Sequence, residues 1–403
     1  MPYIIFILLT LVLSIVFDKQ EYTTSKKWWY IFLCFYLILL SGLRNGVGGD
    51  TQCYMNDFDD VPTHPQDYGQ YIMECIALRG YMPAWSMLNI ICKQLFNSFY
   101  AVQLIEAFFV NICVFYLFKK YTSKIFLCVL LYGLTGYFFI FNTEVMREAF
   151  AICLCGIGMA QYLDGNKKTF YALVFVSLFF HLSALIVFIF PFIRLPKINI
   201  HTLLITFIVA FILWIASDYF IAFLIQFIEK YSSILSNKII SYADQKSNLP
   251  GFLELALRYI VGQAGIIYFV QYYKEIDDKC HSDYLRYFSF YLVIAILVCS
   301  IPGFYRFINY SILFCIIMMA EFLASIKIQL KHLALTKVVL VLIFTYYCGK
   351  YYLRIWPNNK RYHYEFFVPY TSIFDENVNT TYRYDMWYEA VHPEKNQKNS
   401  RSL

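Results

Sequence analysis

A chain whose apolar residues arrive in long uninterrupted runs has few folds open to it. Here the runs begin at once, over residues 3 to 17 and 28 to 43, and recur as far as residue 352. A helix needs about 20 apolar residues to cross about 30 Å of hydrocarbon, and backbone in that medium must satisfy its own hydrogen bonds. Membrane β-barrels alternate apolar and polar positions and give no such runs, so they are excluded. Only 15% of the residues are charged, while 60% are hydrophobic and 21% aromatic; soluble proteins carry about a quarter charged. The expected fold is all-α, a polytopic membrane bundle of about 11 to 12 transmembrane helices over residues 1–352. A polar, aromatic-rich tail over 353–403 follows it.

Loop charge sets the orientation. The first run has no basic segment before it and no small-residue cleavage site after it, so it reads as a retained helix. Lys19, Lys26 and Lys27 make the first loop cytoplasmic, which turns the N-terminus, the loop 44–98 and the tail outward. Further helices are expected at 99–118, 125–141, 145–163 and 169–193, with Lys119, Lys120, Lys124, Lys167 and Lys168 inside. Asp218 divides residues 203–229, and the charge of the later loops favours two crossings there. Helices over 254–273, 285–301, 304–325 and 333–352 complete the bundle. Residues 81–96 read as an interfacial helix, with Tyr81, Trp85, Leu88, Cys92 and Leu95 on one face and Ser86, Asn89, Lys93 and Asn97 on the other.

The net charge of +6 belongs to the inner loops, and no basic block interleaved with aromatics points to nucleic acid. Twelve cysteines form no C-x-x-C or Cys/His cluster, so neither a metal nor another cofactor is expected. Cys53 and Cys75 share the outer loop, which leaves a disulfide between them open.

The residues suited to chemistry collect at outer helix ends. In Arg44-Asn45-Gly46-Val47-Gly48-Gly49-Asp50-Thr51-Gln52-Cys53-Tyr54 an apolar run stops and a glycine-rich turn begins, bracketed by a cation and a carboxylate. Arg147 and Arg306 stand at two further outer ends, and Arg258 lies about one turn inside another. Separate guanidinium groups at one level suit a pyrophosphate, since each binds phosphate oxygens in bidentate fashion and stays charged. The plainer reading makes each an interfacial anchor or ion-pair partner, for instance Arg147 with Glu144 or Glu148. His181, in the middle of an apolar run, is either a proton acceptor or a helix-to-helix hydrogen-bonding group. Asp57-Phe58-Asp59 imitates a metal-holding D-x-D, but it lies outside, where nucleotide sugars are not supplied, and reads as solvated acidic loop.

Taken together, these residues resemble the EpsG family of bacterial exopolysaccharide proteins, related in kind to the Wzy O-antigen polymerases. The resemblance rests on Arg44 to Thr51 with Tyr54, on Asn142 with Arg147 before Ala149 and Ala151, on Phe180-His181-Leu182-Ser183-Ala184-Leu185, and on Arg306 followed by Tyr310. Two departures stand out. The family carries a glutamate before the Gly-Tyr of the interfacial helix, where this chain has Arg79-Gly80-Tyr81, and Glu148 stands where glutamine is common. The resemblance implies a multi-helix lipid-phosphate glycosyltransferase in the bacterial cytoplasmic membrane, joining repeat units carried on polyprenyl pyrophosphate. Arg147 and Arg306 would clamp the leaving pyrophosphate, and Asp50, His181 or Glu148 would take the acceptor proton. Arg44, Gly48, Tyr54, Glu148, Arg258 and Tyr310 complete the expected substrate contacts. Implied partners are the lipid-linked donor and acceptor, membrane lipid, a flippase and a chain-length regulator. The competing readings are another polyprenyl-phosphate sugar transferase and a lipid-linked oligosaccharide flippase.

Overall fold

The computed structural model describes residues 1–20, 23–195, 199–230, 247–263, 278–324, 342, 345–346, 348–355, 361–375 and 381–391. Its helices are α1 (Pro2–Phe17), α2 (Thr24–Gly42), α3 (Gly49–Asp59), α4 (Tyr68–Glu74), α5 (Pro83–Phe96), α6 (Phe99–Tyr121), α7 (Ile125–Leu134) and α8 (Tyr137–Phe139). They continue with α9 (Met146–Leu163), α10 (Lys167–Leu178), α11 (Ile200–Glu229), α12 (Leu249–Tyr259), α13 (Asp278–Ser300), α14 (Asn309–Ala324) and α15 (Thr381–Val391). No strand forms among the described residues, so the fold is all-α as expected. Most of the expected span 333–352, part of 254–273 and the polar end from Pro393 lie outside the described residues.

Four described helices are long and apolar enough to cross a membrane, at Phe99–Tyr121, His201–Tyr219, Ser282–Ser300 and Gly303–Ala324. The pair Ile125–Leu134 and Tyr137–Glu144, bent by 81°, adds a fifth if it is counted as one span. Several other expected spans are shorter or folded back. The chain forms two compact units, one of Met1–Cys153, Phe179–His181 and Tyr346–Leu403, the other of Leu154–Leu178 and Leu182–Thr345.

In the first unit α1 packs on α7 and α2 on α6. Their outward faces are apolar, as lipid requires: on α1 Ile4, Leu8 and Ile15 are exposed while Phe6, Thr10 and Leu13 are buried. Asp18 ties the lysine-bearing end together. It accepts the first backbone N–H groups of α7 from Phe126 (3.2 Å) and Leu127 (2.8 Å), and lies 4.0 Å from Lys26 Nζ. At its far end α7 stops at a left-handed glycine, Gly136 (φ 81°), and the chain turns. The second arm then lies level with the outer end of α1, because the Phe139 ring meets Tyr3 at 4.9 Å. Residues 140–144 form a π-turn that delivers Glu144 beyond the span, against the loop.

The helix expected over 81–96 is present as α5, but its faces differ from expectation. Trp85, Ser86, Asn89 and Cys92 are buried, whereas Met87, Ile91 and Leu95 are exposed. The polar residues turn inward because the medium outside is lipid, and Asn89 Nδ2 satisfies itself on Trp85 O at 2.8 Å. Cys53 and Cys75 are both free, so the loop carries no disulfide between them.

The second unit corrects two spans. The expected helix 169–193 is a hairpin: α10 ends at Leu178, and a 3-10 segment, Leu182–Phe192, runs back beside it. Tyr171 stacks on Phe188 at 6.3 Å, and Phe170 meets Phe190 at 6.3 Å. The ends close on Arg286, which donates to Pro191 O at 3.0 Å and lies over the Tyr162 ring. Helix α11, in turn, continues for 30 residues through Asp218 without a break. It runs parallel to α13, since Leu195 N meets Ser289 Oγ (3.1 Å) and Ser300 Oγ donates to Ala210 O (3.1 Å). Helix α12 runs the opposite way, from Trp214 toward Tyr291, fixed by Trp214 Nε1 on Ser247 O and Tyr291 OH on Tyr259 O. A helix continues wherever its residues are good formers and nothing breaks it, and one aspartate breaks nothing. One expected crossing is lost at 167–192 and one expected turn is lost at Asp218. The two differences offset, so the side assigned to the start of α14 from loop charge is unchanged.

Candidate active site

The glycine-rich stretch becomes the turn between α2 and α3. Arg44 closes it from beneath. At 1% exposure, its guanidinium donates to Val47 O (3.3 Å), Thr51 Oγ1 (3.3 Å), Met146 Sδ (3.3 Å) and Ser41 O. Burial pulls its pKa down to about 10, against the opposing field of Glu106, a fully buried carboxylate on α6. The group remains a cation at neutral pH, spent on holding the turn rather than facing a ligand. Gly48 (φ 100°) donates its N–H to Phe366 O at 2.9 Å, and a Cβ there would come within 2.5 Å of the Thr143 side chain. Only glycine fits both demands.

Above the turn stands a pair of carboxylates. Glu144 accepts the backbone N–H groups of Gly49 (2.9 Å) and Asp50 (3.4 Å), at the N-terminus of α3. Burial and the adjacent Asp50 push Glu144 up to about 7, against those two N–H groups, which lower it. Asp50 Oδ1 in turn accepts Trp387 Nε1 at 2.8 Å.

One turn further along α3, Tyr54 meets Arg147 at the start of α9. Arg147 Nε donates to Tyr54 OH (3.4 Å) and Nη1 to Gly80 O (3.2 Å). Its guanidinium lies 4.1 Å from the Tyr81 ring centre and 5.7 Å from that of Tyr54. Two aromatic faces thus orient a half-buried cation. Glu144, one of the two carboxylates offered as an ion-pair partner for Arg147, caps α3. Tyr81 OH donates to Asp57 Oδ2, and Arg79 binds both Asp57 (3.2 Å) and Asp60 (2.5 Å). The D-x-D lookalike therefore braces the loop, and Arg79, which departs from the family pattern, has its own acidic partners.

His181 is half-buried at the hairpin tip and not inside a helix. Within the first unit Phe179 O accepts Ala84 N at 2.9 Å, and Phe180 stacks on Phe150 at 4.8 Å, one turn beyond Arg147. Glu148 is buried on α9. In the second unit Tyr310 OH and Ser183 Oγ pair at 2.7 Å, joining two of the motif segments. Arg306 lies in the 3-10 turn Pro302–Ile308 beside Tyr305, and Arg258 lies over the Tyr259 ring. In the first unit the structure thus brings together Arg147 with Tyr54 and Asp50 with Glu144, and holds Arg44 below the loop.

Three contributions were not foreseen from sequence: the carboxylate role of Glu144, the Tyr81 face under Arg147, and the anchoring of the tail by Arg383 and Trp387. Tail residues pair with the loop through Asn45 N to Thr371 O (2.8 Å) and Ile373 N to Leu43 O (2.9 Å). Arg383, fully buried, locks them by donating to Gly46 O (3.1 Å), Thr371 Oγ1 (3.0 Å) and Pro369 O. Beside this assembly an apolar crevice of 320 Å³ is lined by Tyr3, Ile7, Leu134, Phe138, Phe139 and Phe367.

Fold and site define a polytopic all-α membrane protein that gathers a cation and paired carboxylates against one loop between its helices. The chain belongs to the EpsG family, whose model matches residues 27–372 and so most of its length. This family is of the Wzy-like polysaccharide polymerase type. No curated protein and no solved structure matches the chain.

Proposed function

We propose that the protein is a polymerase that joins polyprenyl-pyrophosphate-linked repeat units at the outer face of the bacterial cytoplasmic membrane. The observation that carries this reading is the placement along α3: Asp50, whose backbone N–H meets Glu144, and Tyr54, whose hydroxyl meets Arg147, stand one helical turn apart on the same helix. That is about 5 Å of rise between the two backbone positions, so a proton acceptor and a phosphate-binding cation are both reached from one face of α3.

In the reaction an acceptor sugar hydroxyl attacks the anomeric carbon of the donor. The new C–O bond forms as the bond to pyrophosphate breaks, and the hydroxyl proton passes to the carboxylate pair. Arg147 holds the charge that develops on the departing pyrophosphate, in a site where its orientation is already set. The apolar crevice beside Phe139 and Phe367 suits the isoprenoid chain of the donor. In cells, Arg147→Ala is expected to cut polymer by about 100-fold or more while lipid-linked single repeats accumulate. Full-length polymer at the wild-type rate in that variant would remove Arg147 from the clamp.

A further inference from the structure

Helix α15 lies beyond residue 372, where the family match ends, yet it packs on α3 at the site. It is anchored by the buried Arg383, and it places Trp387 against Gly49 and on Asp50. Tyr384, one turn earlier, stacks on Trp387 with ring centres 5.8 Å apart and planes 27° from parallel. Both rings are half-buried and so retain open surface. An aromatic surface hydrogen-bonded to a carboxylate matches the two chemistries of a sugar: C–H groups on a ring face, and hydroxyls at its edge.

We infer that Trp387 and Tyr384 form a saccharide platform that seats the acceptor sugar with a hydroxyl on Asp50. This rests on the polymerase reading and adds to it a specificity element supplied by the tail, outside the part of the chain that matches the family. Trp387 and Tyr384 act as binding residues, with Asp50 as the group they orient.

The test uses full-length protein in lipid nanodiscs and oligosaccharides released by mild acid from the surface polysaccharide of the producing cell. Saturation-transfer NMR reads contact between protein and sugar ring protons. The wild type is expected to give transfer, Trp387→Ala to reduce it at least fivefold, and Trp387→Phe to retain most of it, since the ring face persists without the indole N–H. Tyr384→Leu, which leaves Arg383 and the Asp50 bond in place, is expected to weaken it by a smaller factor and covers the case in which Trp387→Ala fails to fold. Transfer at the wild-type level in a folded Trp387→Ala or, where that variant fails to fold, in Tyr384→Leu overturns the platform and leaves the polymerase reading standing. Absence of transfer in the wild type overturns both.

Discussion

At the scale of residues, the same side-chain type does different work according to what surrounds it. Arg44 and Arg147 look alike in sequence, each at the end of an apolar run. The first is buried and spent on neutral acceptors, while the second is half-buried against two tyrosine rings. Glu144 shows the same dependence. It reads as an ion-pair partner of Arg147 in sequence, and the fold instead sets it beside Asp50 on two backbone N–H groups. With Glu144 pushed up to about 7, its base form is lost as pH falls through that value. Polymerisation is therefore expected to decline below about pH 7 with a one-proton slope. Glu144→Gln should be slow and flat across the same range. A Glu144→Gln profile that kept the wild-type acid limb would assign that limb to another group. The arginines were legible because charge in an apolar run is conspicuous. Their division of labour was not, because it depends on tyrosines contributed by other elements.

At the scale of elements, hydropathy located the long apolar helices among the described residues, misjudged some of their paths, and gave no sign of the polar helices α3, α4 and α15. A run of apolar residues of spanning length can be one helix or two shorter arms, and composition does not distinguish them. The arms of 167–192 meet through aromatic stacking, and the break falls at Phe179-Phe180-His181, with neither glycine nor proline to announce it. At Asp218 the opposite happened, where a charge suggested a break and the helix runs on. The hairpin has a direct consequence for sidedness. In a cysteine-free background, Arg194→Cys should resist a membrane-impermeant maleimide added from outside and react once the membrane is opened. A spanning helix over 169–193 would make it react from outside.

At the scale of the whole molecule, membrane class, all-α fold and family were all present in the sequence, because each rests on features that are local and repeated. The contacts of Arg383 and Trp387 were not. Trp387 and Asp50 lie 337 positions apart, and no periodicity links them. Nor does a polar, tyrosine-rich tail announce that one buried arginine, Arg383, fastens it to Gly46. If Arg147 and the carboxylate pair couple sugar transfer to the release of a lipid pyrophosphate, proteoliposomes containing only the purified full-length protein and lipid-linked repeat units from the producing cell will build a ladder of lengthening glycans, with one polyprenyl pyrophosphate released for each linkage formed. Repeat units that cross the bilayer with neither ladder nor pyrophosphate released would contradict that coupling and identify a transporter instead.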